Sequence, residues 1–400
     1  MLKRQKNSIS ELALFSGGRL FEKPRSTSNL VRPDIERFLE YSKALYQAGQ
    51  YETSDSLATR LERRLAEFHN TRYCVCFCSG FWALVLAIRS LAVPGRMEVV
   101  MPSLTYRRLG DVVAWAGLVP RYCDVDPNTL AISPQTAEFN IGPNTALIIG
   151  VHPIVNCCDA LGLEQLAGRH AVPILFDGVE SVYESVAGRK VGSFGDAECF
   201  SLHASKLLNG FEGGYLTTNN KELADKLLGM REFDFTSEHT ETSYGTNAKL
   251  SEIHAAMALA SLDDLEEQVA RNRERYRVYQ DVLQDIAGIR LLPFDESERC
   301  SFKNIVVELT GEWELTRELT LELLNAEGML SRAYYSPPLH VKKTMYPTIS
   351  GNLPVTEHLA ERFMLMPCGH FVSKEDILEI AHFLTFIKGN AADIKSRVTQ

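Results

Sequence analysis

Short apolar runs alternate with segments of helical periodicity between residues 53 and 218, and no other feature constrains the fold as strongly. Runs such as 172–176 and 197–202 have the length and composition of buried parallel strands. Strands that alternate with helices form a mostly parallel sheet covered by helices on both faces. The predicted strands are 73–78, 99–101, 120–123, 146–151, 172–176, 197–202 and 215–218, and the predicted helices between them include 81–91, 108–116 and 163–169.

The length of 400 residues exceeds the size at which a single hydrophobic core usually keeps growing, so we expect two domains. Residues 1–50 are mixed and polar and predict an N-terminal arm. Residues 51–269 predict a large α/β domain with a mostly parallel, seven-stranded sheet between helices, and residues 270–400 predict a smaller α+β domain. Outside the sheet we expect a helix at 33–47, one or two long helices within 247–287, a strand at 304–309, and helices at 315–327 and 374–388.

Two polar side chains follow neighbouring predicted strands. Asp177 comes directly after the run 172–176, and Lys206 lies in the loop after 197–202. Ligands of open α/β sheets bind outside the carboxyl ends of the strands, so both side chains are expected to face one crevice. An amine that can form a Schiff base and a carboxylate that can hold a pyridinium nitrogen are what pyridoxal phosphate (PLP) chemistry needs. Taken alone, the pair does not establish this chemistry, because an aspartate at a strand end and a lysine in a loop are commonly just solvated side chains.

Several motifs in register strengthen the functional interpretation of this pair. Residues 176–181 are Phe-Asp-Gly-Val-Glu-Ser, and residues 200–206 are Phe-Ser-Leu-His-Ala-Ser-Lys. With these motifs the chain resembles the DegT/DnrJ/EryC1/StrS family of fold-type-I, PLP-dependent enzymes, which are mostly sugar aminotransferases. The resemblance covers about residues 50–385. It also includes, in the same order, 79–84, 102–106, 124–129, 188–196, 245–252 and 336–340.

The resemblance implies an aspartate aminotransferase-like fold and a role for each member of the pair. Lys206 would be the Schiff-base lysine, whose neutral amine attacks the cofactor aldehyde and later moves a proton. Asp177 would keep the pyridine nitrogen protonated, because a nearby opposite charge favours the charged form. Some relatives with His at the position of Lys206 act as dehydratases, so the lysine found here favours amino transfer.

The resemblance also implies a set of cofactor contacts. The backbone N–H groups of Gly80, Phe81 and Trp82 would hold the phosphate at the start of a helix. Phe81 and Trp82 are bulky where relatives have small residues, so Ser201 becomes the favoured side-chain phosphate ligand. Tyr106 matches the aromatic residue that stacks on the cofactor ring, although an ordinary core aromatic is the alternative.

Other positions in the motifs leave alternatives open. Glu180 stands where many relatives have His or Gln; it either lies beside the cofactor ring, bridged or protonated, or is solvated. His203 is as readily structural as functional. Asn247 matches an asparagine that reaches the neighbouring subunit's cofactor phosphate, which implies a homodimer with shared active sites. Arg107 and Arg108 replace small or apolar residues and either are solvated or hold an anionic substrate group.

Bulk properties exclude several other classes of protein. The net charge is −9 and the only basic tract lies at residues 3–6, which argues against a nucleic-acid partner. No apolar run reaches the roughly 20 residues of a membrane-spanning helix. The basic residues near the N-terminus are not followed by an apolar stretch, so we expect no secretory signal there. Nine cysteines without a Cys-x-x-Cys pair predict reduced thiols in a cytoplasm and no metal. Cys74, Cys76 and Cys78 are expected on one face of a strand.

The resemblance therefore predicts a PLP-dependent aminotransferase. Its expected reaction converts a keto group of a sugar, in a nucleotide-linked form, to an amine, with glutamate or glutamine as the donor. One alternative is another PLP-dependent reaction, such as elimination, replacement or decarboxylation. The second alternative is a non-catalytic relative that binds a ligand or regulates, but such a protein has no reason to retain both Lys206 and Asp177.

Overall fold

A computed structural model describes residues 5–27, 32–47, 56–233 and 245–398. In this part of the chain the strands form one eight-stranded sheet, one four-stranded sheet and two small pairs. The strands are β1 (Arg25–Ser26), β2 (Tyr73–Phe77), β3 (Glu98–Pro102), β4 (Val119–Cys123), β5 (Thr145–Val151), β6 (Ile174–Asp177), β7 (Ser185–Val186), β8 (Arg189–Lys190), β9 (Ala197–Ser201), β10 (Gly214–Thr218), β11 (Ile289–Leu291), β12 (Ile305–Leu309), β13 (Met329–Leu330), β14 (Arg332–Ala333), β15 (Ile349–Ser350) and β16 (Phe363–Met366).

Helices cover both faces of the large sheet. No helix within the described ranges is long and apolar enough to cross a membrane. The α-helices are α1 (Ile35–Gln47), α2 (Leu57–His69), α3 (Gly80–Leu91), α4 (Leu109–Trp115), α5 (Pro134–Glu138), α6 (Ala160–His170), α7 (Lys221–Met230), α8 (Glu252–Asp263), α9 (Leu265–Leu283), α10 (Arg317–Ala326), α11 (Pro354–Ala360), α12 (Lys374–Gly389) and α13 (Ala391–Val398), with 3₁₀ turns at Ile9–Glu11, Ala13–Phe15 and Leu339–Val341.

The large sheet has the strand order β15-β4-β3-β5-β6-β9-β10-β2. Strand β10 runs antiparallel to both of its neighbours, and every other neighbouring pair is parallel. Because β2 and β9 are both antiparallel to β10, they point in the same direction as each other. The carboxyl ends of β2, β3, β5, β6 and β9 therefore meet at one edge of the sheet, which confirms the predicted mostly parallel α/β architecture.

The predicted number of seven strands is wrong by one. Strand β15 pairs in parallel with β4, with Ile349 beside Arg121, and becomes the eighth strand at the edge. It comes from the C-terminal part of the chain and has two residues, which is too short to produce a period-2 pattern. The other seven strands lie within one or two residues of their predicted bounds.

Apolar side chains fill both faces of the sheet. Along β3, Val99 and Met101 belong to one hydrophobic cluster and Val100 to the other. This two-sided burial is the reason that the strands have nearly continuous apolar sequences. Cys74 and Cys76 share one face as predicted, but the prediction for Cys78 is wrong: it lies beyond the end of β2 and packs against the opposite cluster.

The sequence predicts one or two long helices within 247–287, and the structure has two, α8 and α9, which are separated at Asp264. The N-terminal segment packs against the C-terminal part of the chain, where Phe21 N–H donates to Glu327 O at 3.0 Å and β1 pairs with β13. The predicted domain limit at 50 lies outside the described residues, and the limit at 269 falls inside α9. Both limits therefore remain predictions.

The start of α3 lies unusually close to β10, which gives a test of the packing at this edge. A Cβ atom on Gly214 would overlap the backbone nitrogen and Cα of Gly80. Because backbone atoms cannot move aside easily, we expect Gly214→Ala to lower the free energy of unfolding by about 1–3 kcal/mol. Urea denaturation monitored by circular dichroism measures this change.

Gly168 in α6 is the matched control, since a Cβ there has no neighbour within 4 Å. We expect Gly168→Ala to leave the stability unchanged or to raise it by about 0.4–1 kcal/mol, because alanine restricts the unfolded chain. Equal stabilities of the two variants would contradict the described packing of α3 on β10.

Candidate active site

The edge where the parallel strands end brings Asp177 and Lys206 together. Asp177 is the last residue of β6, and only 6 % of it is exposed. Its Oδ1 accepts a hydrogen bond from the N–H of Val179 at 3.1 Å, which fixes the carboxylate at the start of the following turn. Lys206 lies in the loop after β9, where its N–H donates to the carbonyl of His203 at 2.9 Å. The parallel topology thus places both side chains where the sequence predicts them.

Glu180 lies between two lysines. The Lys206 amine donates to Oε1 of Glu180, and the Lys303 amine lies 3.1 Å from Oε2. The Nδ2 of Asn304 is 3.4 Å from the same Oε2. The side chains of Lys206, Glu180 and Lys303 are 17 %, 15 % and 14 % exposed. Glu180 is therefore bridged by the two lysines. A bridged carboxylate is one of the two forms in which we expect Glu180 to lie beside the cofactor ring.

Burial and charge move the pKa values of the two carboxylates in opposite directions. Burial raises the pKa of Asp177 to about 6, against the opposing effects of the Val179 N–H and the Lys206 charge. Burial also acts to raise the pKa of Glu180, but the charges of Lys206 and Lys303 outweigh it and hold that pKa well below its usual range. Glu180 is therefore ionised, whereas Asp177 forms no ion pair among the described residues and is affected by the Lys206 charge without direct contact.

The N-terminus of α3 is prepared for an anion. Ser79 caps the helix, and its hydroxyl accepts a hydrogen bond from the Trp82 N–H at 3.3 Å. Of the three predicted phosphate N–H donors, Trp82 is thus already used, whereas Gly80 and Phe81 have no acceptor among the described residues. A Cβ on Gly80 would lie 3.2 Å from the Ser201 Cβ, so the Ser201 side chain lies beside this helix start.

The bulky side chains after Gly80 pack with one another. The rings of Phe81 and Trp82 each lie 6.3 Å from that of Trp115, and the two make an edge-to-face contact at 5.8 Å. Trp115 is 64 % exposed. The departure from small residues at 81 and 82 therefore forms an aromatic cluster at the surface, while the Gly80 and Phe81 amides stay available.

The loop after β3 carries Tyr106, which is 54 % exposed and thus is not a core aromatic residue. The neighbouring Thr105 hydroxyl is buried and has no hydrogen-bond partner among the described residues. Two residues earlier, the Ser103 hydroxyl lies 2.7 Å from Nδ1 of His340. This bond joins the large sheet to the C-terminal part of the chain beside Tyr106.

His203 and Asn247 have different surroundings. Nδ1 of His203 lies 2.9 Å from the Ser205 hydroxyl, and its N–H donates to Ser201 Oγ at 3.2 Å, so His203 orders the loop that carries Lys206. Asn247 is exposed and lies next to Ala248, whose carbonyl accepts from the N–H of Cys78 at 2.7 Å. Asn247 therefore lies near the helix start of α3 but faces outward.

Arg107 and Arg108, for which the sequence leaves solvation and anion binding as alternatives, lie at the surface. Arg108 pairs with Asp111 at 2.9 Å, and its side chain is 61 % exposed. Arg107 is also exposed, and its carbonyl accepts a hydrogen bond from the Lys342 amine. Arg108 is therefore a solvated side chain that already has a carboxylate partner.

Three residues at the site were not predicted. Lys303 and Asn304 precede β12, and a lysine before a strand is ordinarily solvated, so nothing local in the sequence signals their contact with Glu180. His152 follows β5 and stacks on Phe176 with ring centroids 5.6 Å apart. Its Nε2 is buried without a partner among the described residues. The position of His152 at a strand end is the one signal that could have identified it.

These residues fit PLP on structural grounds. A buried carboxylate without a close cation, Asp177, suits a protonated ring nitrogen, which would relieve the cost of its burial. Two free N–H groups of Gly80 and Phe81 at the start of α3 suit a phosphate. Lys206 supplies an amine at the same edge. In the described ranges no cluster of three or more His, Cys, Asp or Glu side chains could hold a metal ion.

The chain belongs to the DegT/DnrJ/EryC1/StrS aminotransferase family, whose model matches residues 33–385. The fold and the site thus define a PLP-dependent aminotransferase of fold type I, as the sequence predicted. Expectations of a different PLP reaction or of a non-catalytic relative are not supported by this membership.

Two relatives and one solved structure show which proteins of the family this chain is similar to. The chain is 31 % identical over 323 residues to a UDP-N-acetyl-3-dehydro-alpha-D-glucosamine 3-aminotransferase of Acidithiobacillus ferrooxidans, covering 80 % of this chain and 86 % of that protein. It is 26 % identical to the dTDP-4-amino-4,6-dideoxy-D-glucose transaminase of Shigella dysenteriae, covering 79 % and 86 %. The solved structure of DesI in the presence of its TDP-sugar product superposes with a TM-score of 0.92 at 31 % identity, covering 98 % of this chain and all of that one.

The raised pKa of Asp177 predicts a cost of its burial in the cofactor-free protein. The folded-state pKa of about 6 exceeds the unfolded value of roughly 3.9, so stability falls as the pH rises between these values and stays low above them. We expect cofactor-free Asp177→Asn to be more stable than the parent protein at about pH 7.5, by on the order of 3 kcal/mol at most. The difference should nearly vanish at about pH 4, as measured by urea denaturation at each pH.

Asp285→Asn is the control for this experiment, because Asp285 is exposed to solvent. Its stability difference from the parent protein should not depend on pH in this way. If Asp177→Asn were as stable as the parent protein at both pH values, the buried, cation-poor environment of Asp177 would be contradicted.

Proposed function

We propose that this aminotransferase converts a keto group of a nucleotide-linked sugar to an amine and takes the amino group from glutamate or glutamine. The observation that carries the proposal is the meeting of Lys206 with Asp177 at the carboxyl edge of the sheet. The relatives named as dTDP-sugar and UDP-sugar aminotransferases, together with DesI and its TDP-sugar product, support the substrate class.

The chain's own residues account for the chemistry at this edge. When bound, PLP supplies an aldehyde that condenses with amines and a ring that withdraws electrons. Asp177 would hold the ring nitrogen in its protonated form, because the buried carboxylate forms no ion pair among the described residues. Once Lys206 has left its pairing with Glu180, its Nζ would take a proton from the donor carbon that bears the amino group and pass it to the cofactor carbon that had carried the aldehyde.

Other residues orient the cofactor. The N–H groups of Gly80 and Phe81 and the hydroxyl of Ser201 would hold the phosphate at the positive end of α3. The exposed ring of Tyr106 is free to stack on the cofactor ring. Glu180 would lie beside the ring as an ionised group that Lys206 and Lys303 neutralise.

The proposal includes a homodimer whose two sites are shared. The exposed Asn247, next to the Ala248–Cys78 bond, is available to reach the phosphate of a second copy. The cluster of Phe81, Trp82 and the exposed Trp115 supports a protein contact at the same face, because large apolar groups at a surface favour association. The net charge of −9 favours small-molecule substrates over nucleic acid, and we infer a cytoplasmic location without a membrane partner.

Transfer of labelled nitrogen tests the reaction directly. The protein with bound PLP is incubated with a nucleotide-linked keto sugar and with glutamate or glutamine that carries heavy nitrogen. We expect the label in the sugar product and one equivalent of 2-oxo acid for each amine formed, both measured by mass spectrometry. Asp177→Asn should bind the cofactor but lose activity by a factor of about 100 or more, because the ring nitrogen loses its anionic partner.

Conversion of the keto sugar without incorporation of label would instead indicate elimination or another PLP reaction. Transfer to simple keto acids, with no nucleotide-linked sugar accepted, would reject the substrate class and keep the aminotransferase. Near-normal turnover of Asp177→Asn would remove this residue from the chemistry.

Mixing two inactive variants tests the shared site. Lys206→Ala and an Asn247→Ala chain are unfolded together, refolded and assayed. If Asn247 serves the partner's cofactor, one site of each hybrid dimer carries both lesions and the other carries neither, so activity returns to about a quarter of that of the parent protein in an unbiased mixture.

If Asn247 instead serves its own chain, every hybrid site keeps one lesion and no activity returns. Refolding each variant alone is the control, and neither should regain activity. A parent protein that is monomeric and active at the assay concentration would also contradict the shared site.

A further inference from the structure

The Glu180 carboxylate is divided between two amines that come from different parts of the chain. Lys206, after β9, contacts Oε1, and Lys303, before β12, contacts Oε2 at 3.1 Å. All three side chains are at least four-fifths buried. The chemistry described above uses Lys206 and Glu180 directly, whereas Lys303 enters it only as a neighbour that neutralises Glu180. A buried lysine costs desolvation energy, so its place beside the reacting amine calls for an explanation.

The group carries one positive charge more than Glu180 can neutralise. If both amines are protonated, two cations face the Glu180 carboxylate, and Asp177 interacts with the Lys206 charge without pairing with it. A second cation disfavours the protonated form of its neighbour, which is one known way of activating a lysine nucleophile. Sharing also means that neither amine has Glu180 as an exclusive partner.

The remaining ionisable groups around these side chains do not supply a compensating charge. Tyr334 and Tyr335 face Glu180, and burial raises the pKa of each phenol above its usual value, so both stay neutral. Cys368 faces Lys303, and burial likewise raises the pKa of its thiol. Arg332 is close enough to act on Tyr335 and Cys368, and it adds positive charge.

We propose that Lys303 is a positioning residue that shares the Glu180 carboxylate and thereby keeps the Lys206 amine available to react with the cofactor aldehyde. When Lys206 leaves Glu180, Lys303 stays paired with the same carboxylate and holds it in place. The bond that forms joins Lys206 Nζ to the aldehyde carbon, and the oxygen leaves as water. This inference rests on the proposed role of Lys206 in the preceding section.

The test measures capture of PLP by the cofactor-free protein, independently of turnover. Capture is stopped with borohydride at set times and at several pH values, and peptide mapping gives the amount and the position of the pyridoxyl group. In Lys303→Met, Lys206 gains Glu180 as an exclusive partner. We expect capture at Lys206 to be slowed at least about tenfold at about pH 7, because a shift of one pKa unit changes the amine fraction tenfold.

The defect in Lys303→Met should disappear at high pH, where Lys206 is deprotonated in every variant. Lys303→Arg retains the charge and should restore capture to near the parent rate. Glu180→Gln removes the anion that stabilises the Lys206 cation and should move the pH profile in the opposite direction. Lys221→Met is the matched control, since Lys221 pairs with Asp225 on the exposed side of α7. We expect this variant to capture PLP at the parent rate and with the parent pH profile.

The outcomes separate the two claims. A pyridoxyl group on a lysine other than Lys206 in the parent protein defeats the proposed site itself. Labelling of Lys206 with the same pH profile in Lys303→Met and in the parent protein overturns only the role of Lys303. If Lys303→Met is poorly folded, as judged by circular dichroism, the comparison of Glu180→Gln with the parent protein decides, and an unshifted profile there overturns the inference.

Discussion

The common direction of β2, β3, β5, β6 and β9 is the constraint on which the rest of this structure depends. Parallel strands deliver the residues that follow them to the same edge, so segments far apart in sequence become neighbours. Asp177, Ser201 and the start of α3 meet there for that reason. The single antiparallel strand, β10, brings Gly214 against Gly80 and closes the space beside the predicted phosphate site.

Charge balance is the second requirement of this edge. Asp177 and Glu180 are both buried, yet they differ in their partners: Glu180 has two lysines within reach, and Asp177 has one backbone N–H. Burial without a close cation makes Asp177 costly in the cofactor-free protein and suited to a cationic ring nitrogen. The cost of burying a carboxylate therefore falls at Asp177, where the cofactor's ring nitrogen would supply the positive charge.

The strands and most helices could be predicted because their apolar patterns are local. Helix α7 has such a pattern too, with Asn220 capping it, although the sequence analysis did not propose it. Strand β15 could not be predicted, since two residues carry no period. The positions of Lys206 and Asp177 could be predicted because each residue comes at or just after the end of a predicted strand. The contact of Lys303 with Glu180 joins positions 123 residues apart, and no local pattern specifies such a pairing.

The central claim is that the charges at this edge of the sheet are arranged for the cofactor. A crystal structure of the protein with PLP tests this claim most directly. We predict continuous density from Lys206 Nζ to the cofactor, with the ring nitrogen in hydrogen-bond contact with Asp177 and the phosphate at the start of α3. Lys303 should remain on Glu180. A cofactor bound to another lysine, or a ring nitrogen that does not meet Asp177, would contradict the account.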